Sequence, residues 1–144
     1  MPFDELNRRV KACADREVAI TGALGQRYIG CGLTDKEITI TGTPGNALGA
    51  YLGGADITVC GNAQDAVGDT MNAGKITVFG RAGDTVGYAM RGGEILIEGD
   101  AGFRTGIHMK EYGDQVPAIV IGGKAGDFLG EYQAGGVIVV LGLN

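Results

Sequence analysis

The chain has 144 residues, a formal charge of −5 and no basic run, which argues against nucleic acid as a partner. No apolar stretch approaches the ~18 residues of a membrane span, and the N-terminus lacks a signal peptide's apolar core, so one cytoplasmic domain with no membrane contact is expected. Gly makes up 28 of the 144 residues, on a long period with ordinary aliphatic content between, unlike a disordered linker or collagen's glycine at every third position.

At the N-terminus, Phe3, Leu6, Val10 and Cys13 recur at helical spacing behind Pro2, with Asp4 placed as an N-cap. They predict a helix over about 4–15, within an N-terminal helical cap of residues 1–16. Repeats fill residues 17–144: Val18, Ile38, Ile57, Ile76, Ile95, Ile119 and Ile138 open successive units, spaced 19 residues apart except for 20 in the first and 24 in the fifth. A fixed period near 20 means stacked units, each burying its apolar side on its neighbours.

The units Asp56 to Gly74 and Lys75 to Gly93 show the pattern best. Each opens on a β-branched alternation, Ile57-Thr58-Val59 or Ile76-Thr77-Val78, suited to a half-buried strand. Second and third apolar positions follow between glycines, so each unit reads as three short strands with three glycine corners, one rung of a β-helix. Stacking then predicts four interior ladders. The first runs through Ile38, Ile57, Ile76, Ile95, Ile119 and Ile138, and the second through Ile40, Val59, Val78, Ile97, Ile121 and Val140. The third holds Leu48, Val67, Val86 and Leu129, and the fourth Leu52, Met71, Met90 and Met109. Glu37, Asp56, Lys75 and Glu94 would stack outside. Seven rungs at strand spacing would span roughly 30 Å. The helix would cover the exposed edge of the first rung, whereas the apolar run from Val137 to Leu143 has no such cover, so a homo-oligomer is expected of the isolated chain.

The fifth unit breaks the period. Its extra residues fall within 110–117, just after His108, the only histidine. Insertions in solenoids map to loops on one face, which makes His108, Lys110, Glu111 and Tyr112 the candidate partner-contact loop. No nucleophile or second base is visible beside His108, so no catalytic residue is assigned. Asn46, Asp65, Asp84 and Asp127 form an acidic column that reads as turn chemistry ahead of a cation site. Cys13, Cys31 and Cys60 are odd in number and lack C-x-x-C spacing, against a disulfide framework or a zinc or iron–sulfur site. They read as three reduced, small hydrophobic side chains. No metal or cofactor site is assigned.

The glycines themselves recur as G-x-x-G-x-x-x-G: Gly42/Gly45/Gly49, Gly80/Gly83/Gly87, Gly99/Gly102/Gly106 and Gly123/Gly126/Gly130. A motif present in nearly every rung is architecture, where a phosphate loop would be singular. These triplets, with the rung from Gly61 to Gly68 and the closing run from Ala134 to Gly142, resemble the GXGXG domain at the C-terminus of the glutamate synthase large subunit. The likeness covers about Val18 to Leu143, and the segment Ile107 to Tyr112 with Gly130-Glu131-Tyr132 is closer to the stand-alone form of that domain. One of the subunits of formylmethanofuran dehydrogenase is similar in its repeats.

The resemblance implies a right-handed β-helix without chemistry of its own, holding together a glutaminase part with a cysteine nucleophile and a synthase part with FMN and an iron–sulfur cluster. Both catalytic parts are missing from this sequence. The function expected is therefore a non-catalytic scaffold subunit of a glutamate synthase-like complex, with separate glutaminase-like and FMN synthase-like subunits as partners. The alternatives are a scaffold in a formylmethanofuran dehydrogenase-like oxidoreductase and a β-helix acyltransferase using His108. The acyltransferase hexapeptide repeat does not divide a period of 19. An ice- or surface-binding column at Thr39, Thr58 and Thr77 ends at Leu96 and Val120.

Overall fold

A computed structural model describes residues 1–143. A short helix, α1 (Phe3–Ala12), precedes seven strands: β1 (Glu17–Leu24), β2 (Glu37–Thr43), β3 (Gly53–Cys60), β4 (Ala73–Val78), β5 (Glu94–Ile97), β6 (Ala118–Ile121) and β7 (Val137–Val140). They form one all-parallel sheet in chain order, the arrangement of a β-solenoid with about seven turns.

The strand register follows the repeat. Ile38 pairs with Ile57, Ile57 with Ile76, Ile76 with Ile95, Ile95 with Ile119 and Ile119 with Ile138. Two residues on, Ile40, Val59, Val78, Ile97 and Ile121 form the second interior row. Both rows are buried as far as β6. The intervening side chains point outward, as period-two alternation requires, and Glu37, Asp56, Lys75 and Glu94 align along one edge.

Three expectations about the turns change. Each turn contains one regular strand instead of three, and the other apolar positions lie on tight bends. The third interior row is Leu48, Val67, Val86 and then Thr105, whose buried hydroxyl has no partner; Leu129, at the last turn, is 43% exposed. Val140 is likewise 38% exposed, because no turn follows to cover it among the described residues. The fourth row of Leu52, Met71, Met90 and Met109 is wholly buried.

The bends rest on a backbone pattern that glycine spacing alone conceals. In each turn, alternate residues take left-handed φ, as in Ala66 (61°), Gly68 (68°) and Thr70 (53°). Successive N–H groups consequently point to opposite neighbours. Ala66 donates to Asp84 O (2.9 Å) and Thr70 to Tyr88 O (2.7 Å) in the following turn, while Gly68 donates to Leu48 O (2.8 Å) in the preceding one. A left-handed non-glycine residue costs about 1–2 kcal/mol, and from Tyr28 to His108 each of these is held by an N–H bond to the following turn.

The central residue of each bend must still be glycine. A Cβ at Gly49, Gly68, Gly87 or Gly106 would overlap the Cδ1 of Ile76, Ile95, Ile119 or Ile138, respectively. The other triplet glycines lie against the neighbouring turn. A Cβ at Gly83, Gly102 or Gly123 would strike Oδ1 of Asp65, Asp84 or Asp100, and one at Gly80 would strike Asn62. At Gly99 and Gly126 it would crowd Gly80 O (2.9 Å) and Phe103 Cδ1 (2.9 Å). Gly130, the central bend residue of the last turn, is the exception: its nearest atom is Gln133 Oε1 of the same turn, 2.7 Å away.

Those carboxylates and amides have a structural use. Asn46 Oδ1 accepts from the Asp65 N–H (3.1 Å), Asp65 Oδ1 from Asp84 N–H (2.8 Å), and Asp84 Oδ1 from Phe103 N–H (2.9 Å). A parallel set joins Asn62 to Arg81 N–H and Asp100 to Lys124 N–H.

Helix α1 is shorter than expected. Its N-cap is Pro2, without a side-chain cap bond, and Asp4 lies in the first turn, where its Oδ1 accepts from Glu5 N–H. Negative charge there still suits the helix dipole. Val10 is the helix residue buried in the core, with Leu6 packed against it. All three cysteines are free, and Cys31 and Cys60 are exposed instead of packed. No described helix is long and apolar enough to cross a membrane.

Candidate functional site

The departure in the fifth turn is compact. Lys110 stays in the stack: its N–H donates to Met90 O (3.1 Å), and it bridges in parallel to Ala134. Glu111 reaches forward, its Oε1 accepting from Gly136 N–H (3.0 Å). The extruded part is a tight hairpin in which Tyr112 and Gln115 exchange both backbone bonds, at 3.1 and 2.9 Å, across Gly113 (φ 58°) and Asp114. Thus Tyr112 projects from the hairpin, whereas Lys110 and Glu111 are tied to the turns on either side.

His108 belongs to the second column of left-handed residues, Tyr51, Thr70, Ala89, His108 and Tyr132. Its N–H donates to Glu131 O (3.0 Å), and its exposed ring stacks on Tyr132 with centroids 5.1 Å apart and planes 12° apart. Tyr88 meets it edge-on at 5.8 Å. The column changes size along its length: Thr70 and Ala89 are small, His108 and Tyr132 large. A shallow depression of about 340 Å³ results, lined by Thr70, Ala89, Arg91, His108, Lys110 and Tyr112.

Two cations share one ring in this depression. Arg91 Cζ lies 4.4 Å and Lys110 Nζ 5.2 Å from the Tyr112 centroid, within the range of cation–π attraction. The repeat brings them together, because Arg91 and Lys110 hold equivalent places one turn apart, bonded to Met71 O and Met90 O. The expected loop residues His108, Lys110 and Tyr112 are therefore neighbours, while Glu111 is directed to Gly136. Sequence reasoning missed Arg91 and Tyr88, which lie in the preceding turn. The available signal was the alignment of Arg91 with Lys110, visible once Met90 is matched to Met109.

No triplet glycine lines this depression; the triplets serve the contact between turns. The GXGXG motif family model matches residues 5–144. The chain belongs to the GXGXG family. The match reaches into α1 at Glu5, so it includes most of the helix as well as the turns of this GXGXG chain. An uncharacterized protein of Methanocaldococcus jannaschii is 48% identical over 151 residues, across all of this chain. This chain spans 58% of that relative's length. No solved structure matches it.

Proposed function

We propose that this GXGXG chain is a scaffold subunit of a glutamate synthase-like complex, organising a glutaminase-like and an FMN synthase-like subunit. The observation carrying the reading is the family match across residues 5–144. A rigid stack in which each turn's bends bond to both neighbours suits a part that sets distances between other chains. The largest departure from the period, the Lys110 to Pro117 segment with Tyr112 at its hairpin, supplies a distinctive feature on a largely repetitive surface, as recognition of a particular partner requires.

Co-expression with candidate glutaminase-like and synthase-like chains tests the proposal. A complex that assembles with this chain and converts glutamine to glutamate is expected; the same assembly and turnover without it would refute the scaffold role. Within the complex, replacing Lys110, Glu111 and Tyr112 together by alanine is expected to reduce co-purification. Stability should change by only about 1–3 kcal/mol, the net worth of the Glu111–Gly136 hydrogen bond and of the two cation–π contacts to Tyr112. Undiminished co-purification would move the contact elsewhere on the stack.

A further inference from the structure

We infer that the depression around Arg91, His108, Lys110 and Tyr112 is a seat for a carboxylate-bearing segment of a partner polypeptide. The inference rests on the scaffold reading for the existence of a partner, and adds the partner's chemistry. Its first ground is charge. Arg91 and Lys110 occupy equivalent places in adjacent turns, so their backbones sit about 4.8 Å apart, and their cationic ends converge on the Tyr112 ring at 4.4 and 5.2 Å. Sharing one ring places the two like charges within about a Debye length of each other, where they repel unless an anion joins them. The ion pair formed among the described residues is Arg16–Glu37, at the other end of the chain. The nearest acid in sequence, Glu111, is engaged by the Gly136 N–H. In a molecule of net charge −5, neither Arg91 nor Lys110 forms an ion pair among the described residues, although Asp69, Asp114 and Glu131 lie in the neighbouring segments.

The second ground is shape. Thr70 and Ala89 form a low floor with His108 standing at its border, and Tyr132 stacks behind the imidazole at 5.1 Å. Small-molecule sites bury most of their ligand, whereas this depression is shallow and open. It suits a side chain presented by a larger surface. Its residues are also of the interface type: Tyr and Arg are enriched where proteins bind tightly, because rigid rings and a planar guanidinium lose little freedom on contact. The Arg91 guanidinium can take a carboxylate in bidentate fashion while the Lys110 ammonium adds a point charge.

The isotope-labelled 144-residue chain, titrated with tetraglutamate, tetraglutamine and inorganic phosphate and followed by two-dimensional NMR, tests the idea. Tetraglutamate is expected to shift the resonances of Arg91, His108, Lys110 and Tyr112, with tetraglutamine inert. The Arg91→Gln/Lys110→Gln variant should raise the dissociation constant about tenfold or more, as should high salt, through loss of charge attraction. Thermal melts of the variant would show that the stack is retained. Equal shifts with phosphate would make this a free oxyanion site and overturn the polypeptide occupant. Absence of tetraglutamate shifts, or shifts unchanged in the variant, would overturn the carboxylate seat. Partner co-purification by the same variant separates the two proposals. Its loss without tetraglutamate shifts leaves the scaffold reading standing and removes this one. Tetraglutamate binding in a chain that joins no complex removes the scaffold reading and, with it, the polypeptide partner proposed for the seat.

Discussion

Replacing Gly87 with alanine tests how the turns interlock. Gly87 has φ +69°, and a Cβ there would overlap Ile119 Cδ1 while lying 3.4 Å from its Cγ1 and 3.5 Å from Met90 Sδ. The backbone contributes about 1–2 kcal/mol for an alanine in the left-handed region. The overlap adds about 1–3 kcal/mol, the usual cost of an extra methyl in a close-packed core. Gly87→Ala should therefore destabilise by about 2–5 kcal/mol. Gly113→Ala is the control: φ is +58° with nothing within 4 Å, so only the backbone cost applies. Ile119→Val deletes the offending Cδ1 at a cost of about 0.5–1.5 kcal/mol. In the double variant the steric part disappears, giving a favourable coupling of about 1–3 kcal/mol. Urea denaturation followed by circular dichroism reads these differences, which correspond to midpoint shifts on the order of 1 M. Equal losses for Gly87→Ala and Gly113→Ala, or strict additivity with Ile119→Val, would refute the interlock between Gly87 and Ile119.

The strand register is tested by Ile76→Asp, which should lower stability by more than about 4 kcal/mol through a lost buried side chain and an unpaired carboxylate; Thr77→Asp, on the outward face, should be far milder, and similar melting shifts would contradict the register. Asp84→Ala removes the acceptor for Phe103 N–H and should cost about 1–3 kcal/mol, whereas Asp84→Asn retains an Oδ1 and should be nearly neutral. Equal losses in thermal melts would show that the carboxylate acts through its charge and not through this bond. The 144-residue chain, with Val139, Leu141 and Leu143 exposed, should scatter light as a species larger than 14.8 kDa, and Val139→Lys or Leu141→Lys should shift it toward monomer. A monomer before any substitution would remove the expectation of self-association.

The period by itself determined the stacking. Isoleucines at 38, 57, 76, 95, 119 and 138 can be buried together only if successive units lie in register, and that register is the observed sheet. The column of Asn46, Asp65 and Asp84 was legible as turn chemistry because its members recur every 19 residues, but it ends at Phe103, and the expected fourth member, Asp127, lies a further turn on. Other features needed the tertiary structure. Left-handed φ at Thr70, Thr85 and His108 runs against local preference, and it is stabilised by bonds to residues 18 to 23 positions away that no local window contains. The same distance hid the candidate site. Lys110 and Tyr112 stood out because the insertion breaks the period, but Arg91 and Tyr88 lie in an ordinary repeat. Only the stack, by setting one turn directly on the next, brings Arg91 and Lys110 to the same ring and His108 between Tyr88 and Tyr132.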